Sequence, residues 1–123
     1  MNKDYTELEV WIEGRQLVDL VYTLTKKFPK EELFGLTNQI RRAAISIPSN
    51  IAEGCGRRTS RDTLQFLHVA RGSLYELETQ FYLAFDQEYV TKEDFDVIST
   101  RILLCKKLIS GFINYYKKIE NGK

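Results

Sequence analysis

Apolar residues recur in alternating steps of three and four along nearly the whole chain, and that spacing leaves little room for anything but helices. In the first segment Val10, Gly14, Leu17, Val21, Leu24 and Phe28 keep it, and in the second Leu33, Leu36, Ile40, Ala43 and Ile47. The third runs through Phe66, Ala70, Leu74, Leu77, Phe81 and Ala84. The fourth runs through Phe95, Ile98, Ile102, Cys105, Ile109, Phe112 and Tyr116. Such steps hold side chains on one helix face, so each segment reads as an amphipathic helix. No stretch sustains period-two alternation, and no strands are expected. A chain of 123 residues is long enough for one core and too short for two ordinary ones. Residues 1–123 therefore read as a single all-α domain, with helices over about 6–28, 31–55, 60–87 and 91–118. Short connections between long helices favour an antiparallel, up-down-up-down four-helix bundle.

The expected boundaries have local chemistry. Thr6-x-x-Glu9 has the form of a capping box for the first helix. Phe28-Pro29 should end that helix, because the residue before proline is pushed out of the helical region. Thr59 or Ser60 can cap the third helix, with Asp62 in its favourable first turn. Thr91-x-x-Asp94 serves the fourth, after a short turn at Glu88-Tyr89-Val90. Pro48, inside the second helix, removes one backbone bond and should kink it, with Ser46, Ser49 and Asn50 available to satisfy the freed groups.

Charge is informative only in its placement. The net charge is +1, but six of the eight arginines fall between Arg41 and Arg71, against only two acids there, Glu53 and Asp62. Arg57, Arg58 and Arg61 sit just before and at the start of the third helix, where free N–H groups and the helix dipole already favour an anion. Guanidinium groups add planar, bidentate phosphate geometry. A solvated basic loop accounts for these three equally well. Arg41 and Arg42 form a second basic element, Arg42 pointing away from the core stripe and Arg41 flanking it. Lys26-Lys27, Lys106-Lys107 and Lys117-Lys118 add positive pairs that could join the arginines into a track around a symmetric assembly. Such a track would bind phosphate, with strong salt dependence and little base specificity.

Other chemistries lack their parts. Gly54-x-Gly56 completes neither a dinucleotide fingerprint nor a Walker loop. His68 is the one histidine, and Gln65 stands three residues before it, so the Glu-x-x-His pairs of di-iron bundles are missing. No metal or cofactor is expected. Asn50, Glu53, Arg71, Ser73 and Glu76 could be acid–base machinery, but a hydrogen-bonded network setting helix register fits that mixture better. Cys55 and Cys105 read as two reduced thiols of a cytosolic protein. The acidic start MNKDYTELEV does not resemble a signal peptide, and no apolar run is long enough for a membrane span. A cytoplasmic, soluble protein is expected.

The segments hold more apolar side chains than one stripe needs. Ile45 falls well away from its helix's stripe, near Asn38, Arg42 and Ser49, and Trp11, Ile12, Tyr22, Leu104, Leu108, Tyr115 and Ile119 widen or flank theirs. A thick core with some exposed aromatics would explain them. A second apolar face buried between subunits would too, and is favoured.

Taken in order, Trp11 with Gly14, Phe28-Pro29, Phe34-Gly35-Leu36-Thr37, Gln39-x-Arg41-Arg42-Ala43, Ser46-Ile47-Pro48-x-Asn50-Ile51-Ala52-Glu53-Gly54, Arg57, Phe66-Leu67 and Ala70-Arg71-Gly72-Ser73-x-x-Glu76 form a series. It resembles the bacterial four-helix-bundle proteins encoded in intervening sequences of 23S rRNA genes, a family similar in fold to the accessory protein of diversity-generating retroelements. The likeness runs from Trp11 to about Leu83; the fourth helix matches only in pattern. It implies a homopentameric barrel that binds RNA or a ribonucleoprotein through a basic surface, with Arg41, Arg42, Arg57 and Arg71 as the matching cations. Arg58 and Arg61 are additions of this chain, and its near-neutral charge departs from the strongly basic retroelement proteins. The expected function is non-enzymatic RNA binding by an oligomer. The rival is a structural or protein-partner scaffold whose arginines make intersubunit ion pairs. Arginines open to solvent favour the first; arginines paired with Glu53 or Glu76 favour the second. A small enzyme would need a concave pocket with convergent polar groups.

Overall fold

In the computed structural model, residues 4–123 are described. A 3-10 turn at Tyr5–Glu7 leads into α1 (Glu9–Thr25), and a second at Lys30–Glu32 precedes α2 (Leu36–Cys55). Then come α3 (Ser60–Asp86) and α4 (Lys92–Asn121), and no strand occurs among the described residues. Each helix buries the stripe its spacing sets out. Leu17 and Val21 on α1, Ile40 and Ile47 on α2, Leu74 and Phe81 on α3, and Ile102 and Ile109 on α4 are almost fully enclosed in one shared cluster. Each such side chain contributes roughly 1.5–3 kcal/mol on leaving water.

Side-chain contacts give the directions. Lys27, just past α1, pairs with Asp94 in the first turn of α4, whereas Glu13 near the start of α1 pairs with Arg101 further along α4. Numbers fall on α1 as they rise on α4, so the two run antiparallel. Likewise Gly54 meets Thr63 while Ser46 meets Ser73, and Phe85 meets Phe95 while Glu78 meets Lys106. Arg41 reaches Thr25, and Pro48 packs on Gly14. Packing joins α1 to α2, α2 to α3, α3 to α4 and α4 back to α1. The four antiparallel helices thus occupy the corners of a closed bundle.

Several boundaries differ from expectation. The Thr6–Glu9 capping box does not form: the Thr6 hydroxyl donates to Asp4 Oδ2 at 2.6 Å, and Leu8, extended and packed on the core, precedes α1 instead. α1 stops at Thr25, and Lys26 to Phe28 leave it as a turn. α2 starts at Leu36 rather than near 31, because Pro29 to Glu32 wind as a 3-10 turn and Gly35 adopts non-helical angles (φ −112°, ψ −116°). Leu33, expected on the core stripe, is consequently exposed, as is Phe34 at 92%. Glu32 replaces the missing turn: its Oε1 accepts from the Leu36 N–H at 3.1 Å and its Oε2 from the Tyr89 hydroxyl at 2.8 Å. Those two bonds, the backbone one first, hold its carboxyl below the usual range. α2 runs unbroken through Pro48.

The starts of α3 and α4 follow their sequence signals. Thr59 Oγ1 accepts from the Asp62 N–H and Thr91 Oγ1 from the Asp94 N–H, both at 3.1 Å. At the α3–α4 turn Glu88 takes φ +64°, the left-handed conformation that stops α3 and lets Tyr89 N–H bond to the Ala84 carbonyl.

Gly54 governs how closely α3 folds back on α2. A Cβ there would stand 3.2 Å from both Phe66 Cβ and the Thr63 carbonyl oxygen, and the Thr63 hydroxyl donates to the Gly54 carbonyl at 2.7 Å. Gly54→Ala should therefore cost about 1–3 kcal/mol and lower the urea midpoint without loss of helical circular dichroism. A midpoint equal to the parent's would mean that α2 and α3 separate at no cost.

Candidate nucleic-acid interface

α2 ends at Cys55, Gly56 caps it, and the chain crosses to Thr59 through Arg57 and Arg58. So short a crossing over a packed Gly54 leaves the arginine side chains nowhere to go but outward. Arg58 and Arg61 are exposed and make no ion pair among the described residues. Arg57 is partly engaged: its Nη2 lies 3.5 Å from Glu53 Oε2, and its guanidinium carbon 4.4 Å from the Phe66 ring centroid. Both partners of that ion pair are about half exposed, at 46% and 57%, so it holds the guanidinium only weakly. Arg42 is exposed on the outside of α2 with no carboxylate partner, roughly 20 Å from the turn by helix rise. Its neighbour Arg41 is half-buried against α1, with Nε donating to Thr25 Oγ1 at 2.9 Å and its guanidinium 4.6 Å from the Tyr22 ring centroid. The five candidate arginines are thus three open, one partly tied and one pinned.

The polar set divides. Ser46 is its hub, bonded through Oγ to Ser73 Oγ at 2.9 Å and to Asn50 Nδ2 at 2.9 Å, with Asn50 also donating to the Ser46 carbonyl at 2.8 Å. Glu53 turns to Arg57, Arg71 to His68, and Glu76 accepts from Gln80 at 3.5 Å. The expected five-residue network is therefore a three-residue clasp of Ser46, Asn50 and Ser73. Ser46 was legible only as a helper to Pro48; its role depends on the α2–α3 register, which spacing within one helix does not set.

His68 is exposed, and its Nδ1 pairs with Arg71 Nη2 at 3.2 Å. Loss of solvent first, then the charges of Arg71 and Lys117, lower its pKa, so at neutral pH the ring is uncharged and Nδ1 can accept. Among the described residues no three His, Cys, Asp or Glu side chains gather closely enough to hold a metal ion. Burial pushes the Cys55 thiol up and the Cys105 thiol up to about 11, so neither is a thiolate at neutral pH. An open recess of about 300 Å³ on α4 is lined by Asp96, Val97, Thr100 and Arg101, but Asp96 is already paired with Lys92 and Arg101 with Glu13. The outer side of α4 also exposes Val97, Leu104, Tyr115 and Ile119. Gly111 lies on that helix too, where a Cβ would touch nothing in the chain.

The Arg71–His68 pair is open to titration. His68 should protonate below the ordinary value of about 6.5, and Arg71→Leu should raise its midpoint by removing the second cause while leaving desolvation in place. Proton NMR of the single imidazole measures this; an unmoved midpoint would take Arg71 out of the account.

Comparison with known proteins places the chain in a family. A search of curated proteins finds no match. Among solved structures, a protein of unknown function from the S23 ribosomal protein family of Bacteroides thetaiotaomicron is similar, with a TM-score of 0.79 and 25% sequence identity over 85% of this chain and 95% of that one. The model of the family described as 23S rRNA-intervening sequence protein matches residues 6–111, which take in α1, α2, α3 and the larger part of α4. The chain belongs to the 23S rRNA-intervening sequence protein family.

Proposed function

We infer that this protein is a non-enzymatic, self-assembling bundle that holds RNA through arginines presented at the α2–α3 turn and on the outside of α2. The observation that supports the reading is the openness of Arg42, Arg58 and Arg61, none of which meets a carboxylate among the described residues. Arg58 and Arg61, unpaired beside the N-terminus of a 27-residue helix, suit phosphate oxygens. The helices meet mostly through aliphatic and aromatic side chains, and the polar Ser46, Asn50 and Ser73 between them are bonded to one another. No helix among the described residues is long and apolar enough to cross a membrane.

A second copy of the chain covers the outer apolar groups of α4 in this reading, and a closed pentamer is the favoured assembly. Val97, Leu104, Tyr115 and Ile119 are exposed along a single helix, with Leu108 half-buried among them. The steps between them are seven, four, seven and four, which keep them on one side of the helix. The rival, a scaffold with no RNA, draws on the Arg57–Glu53 contact. One half-exposed pair is thin support, because the other arginines of the turn remain open.

The RNA half is tested by changing Arg57, Arg58 and Arg61 together to alanine. Affinity for structured RNA should drop, and the slope of log affinity against log salt should fall in magnitude by about 2–3, one phosphate contact per arginine. A slope equal to the parent's would favour the scaffold.

The assembly half is tested by sedimentation. The parent should run well above its 14.4 kDa monomer mass, and Leu104→Asp should shift it toward that mass with helical content kept. A parent chain that sediments as a monomer refutes self-assembly.

A further inference from the structure

Three arginines stand over aromatic rings, and two of them share the face between α1 and α2. The Arg15 guanidinium carbon lies 5.6 Å from the Trp11 ring centroid and that of Arg41 4.6 Å from Tyr22. Trp11, Arg15, Val18 and Tyr22 recur in steps of four and three, a second stripe beside the buried one of α1. Arg41, reaching Tyr22 from α2, shows that this stripe looks toward α2. Arg41, Ile45, Pro48 and Ala52 repeat the same steps on α2, with Ile45 exposed. Neither stripe contains a carboxylate; Asp19, the acid between Val18 and Leu20, is exposed and unpaired among the described residues. Because Gly14 packs on Ile47 and Pro48, Arg15 is level with that part of α2, roughly 9 Å along the helix from Arg41.

A guanidinium laid on a ring has one plane covered; Arg15 is exposed, and Arg41 is half-buried. The guanidinium of Arg41 is pinned as well, since the Thr25 hydroxyl that accepts from its Nε is itself fixed on the Val21 carbonyl at 2.8 Å. A flat, charged, pre-oriented plane backed by an aromatic ring is a surface on which an unstacked base can lie, with cation–π attraction added. Exposed Arg42 and Lys26 both stand close in sequence to its Arg41–Tyr22 end and can meet phosphates there. A duplex keeps its bases stacked inside and can offer this face only phosphate.

We propose that the α1–α2 face is a base-stacking platform, built on Arg15–Trp11 and Arg41–Tyr22, for single-stranded RNA. It rests on the RNA reading above and names the class of RNA; the α2–α3 turn supplies phosphate contacts of its own.

Trp11 is the sole tryptophan, so its fluorescence reports on this face. The probes are a short oligouridylate and an RNA duplex carrying the same number of phosphates. Oligouridylate should quench Trp11 and the duplex should not. Arg15→Lys and Arg41→Lys keep the charge and lose the plane. Each should weaken oligouridylate about tenfold and leave the duplex affinity and the salt slope unchanged. Arg15 is exposed, so its variant reads the platform even if Arg41→Lys fails to fold. If both lysine variants bind oligouridylate as tightly as the parent, the platform is overturned while the phosphate reading of the turn stands. If neither RNA binds even at low salt, the wider RNA reading fails and the platform fails with it.

Discussion

The missing side chain at Gly54 sets the geometry on which the rest of the molecule depends. Because nothing projects there, Thr63 and Phe66 of α3 close onto the last turn of α2, and the Thr63 hydroxyl ties the two backbones together. The antiparallel register that follows brings Ser46 opposite Ser73 and lets Asn50 complete the clasp. It also shortens the connection to a few residues, so Arg58 is left in solvent, while Arg57 reaches back only to the half-exposed Glu53 and to the Phe66 ring. The close approach of two backbones and the availability of the cations are one fact seen from two sides.

What could be read from the residues alone follows the range of the interactions. The buried stripes were legible except at Leu33, because hydrophobic periodicity belongs to a single helix and the core asks only for one apolar face from each. Thr59 and Thr91 were legible as caps for the same reason, their bonds closing within three residues. Thr6 carried the same signal and does something else, since Leu8, packed on the core, takes the N-cap position and the Thr6 hydroxyl donates to Asp4. The first turn of α2 was misjudged because Glu32 is held by Tyr89, a residue 57 positions away. The candidate site divides along that line as well. Arg15 over Trp11 is a neighbour one turn along a helix, whereas Arg41 over Tyr22 and the separation of Glu53 from Arg71 and Glu76 depend on how helices are set against each other.

The interior is given over to packing. Cys105 is enclosed by the core and its thiol is held neutral, and Ile and Leu fill the positions where bundle proteins with metal sites place carboxylates and histidines. With the core committed to packing, recognition falls to the surfaces. Those surfaces are dissimilar: cations over rings between α1 and α2, aliphatic and tyrosine side chains along the outside of α4. A closed assembly built on the apolar side would leave the arginine-bearing side to a polar ligand, so the two functions need not compete for one face.

A net charge near zero is compatible with binding a polyanion when the two signs are kept apart. The end of the bundle formed by the α1–α2 and α3–α4 connections carries Glu31, Glu32, Asp86, Glu88, Glu93, Asp94 and Asp96 against Lys26, Lys27, Lys30 and Lys92. The remainder of the chain therefore holds more cations than carboxylates, although the total is only +1. The α2–α3 turn lies at the opposite end, separated from that acidic end by the length of α3. Its 27 residues span roughly 40 Å. The screening length at physiological salt is only about 8 Å. A phosphate at Arg58 and Arg61 would therefore feel those two guanidiniums, the helix terminus and the neighbouring Asp62, while the carboxylates at the far end are lost to the solvent's ions. Local charge density decides the contact, and in this fold the packing of Gly54 concentrates it at the turn.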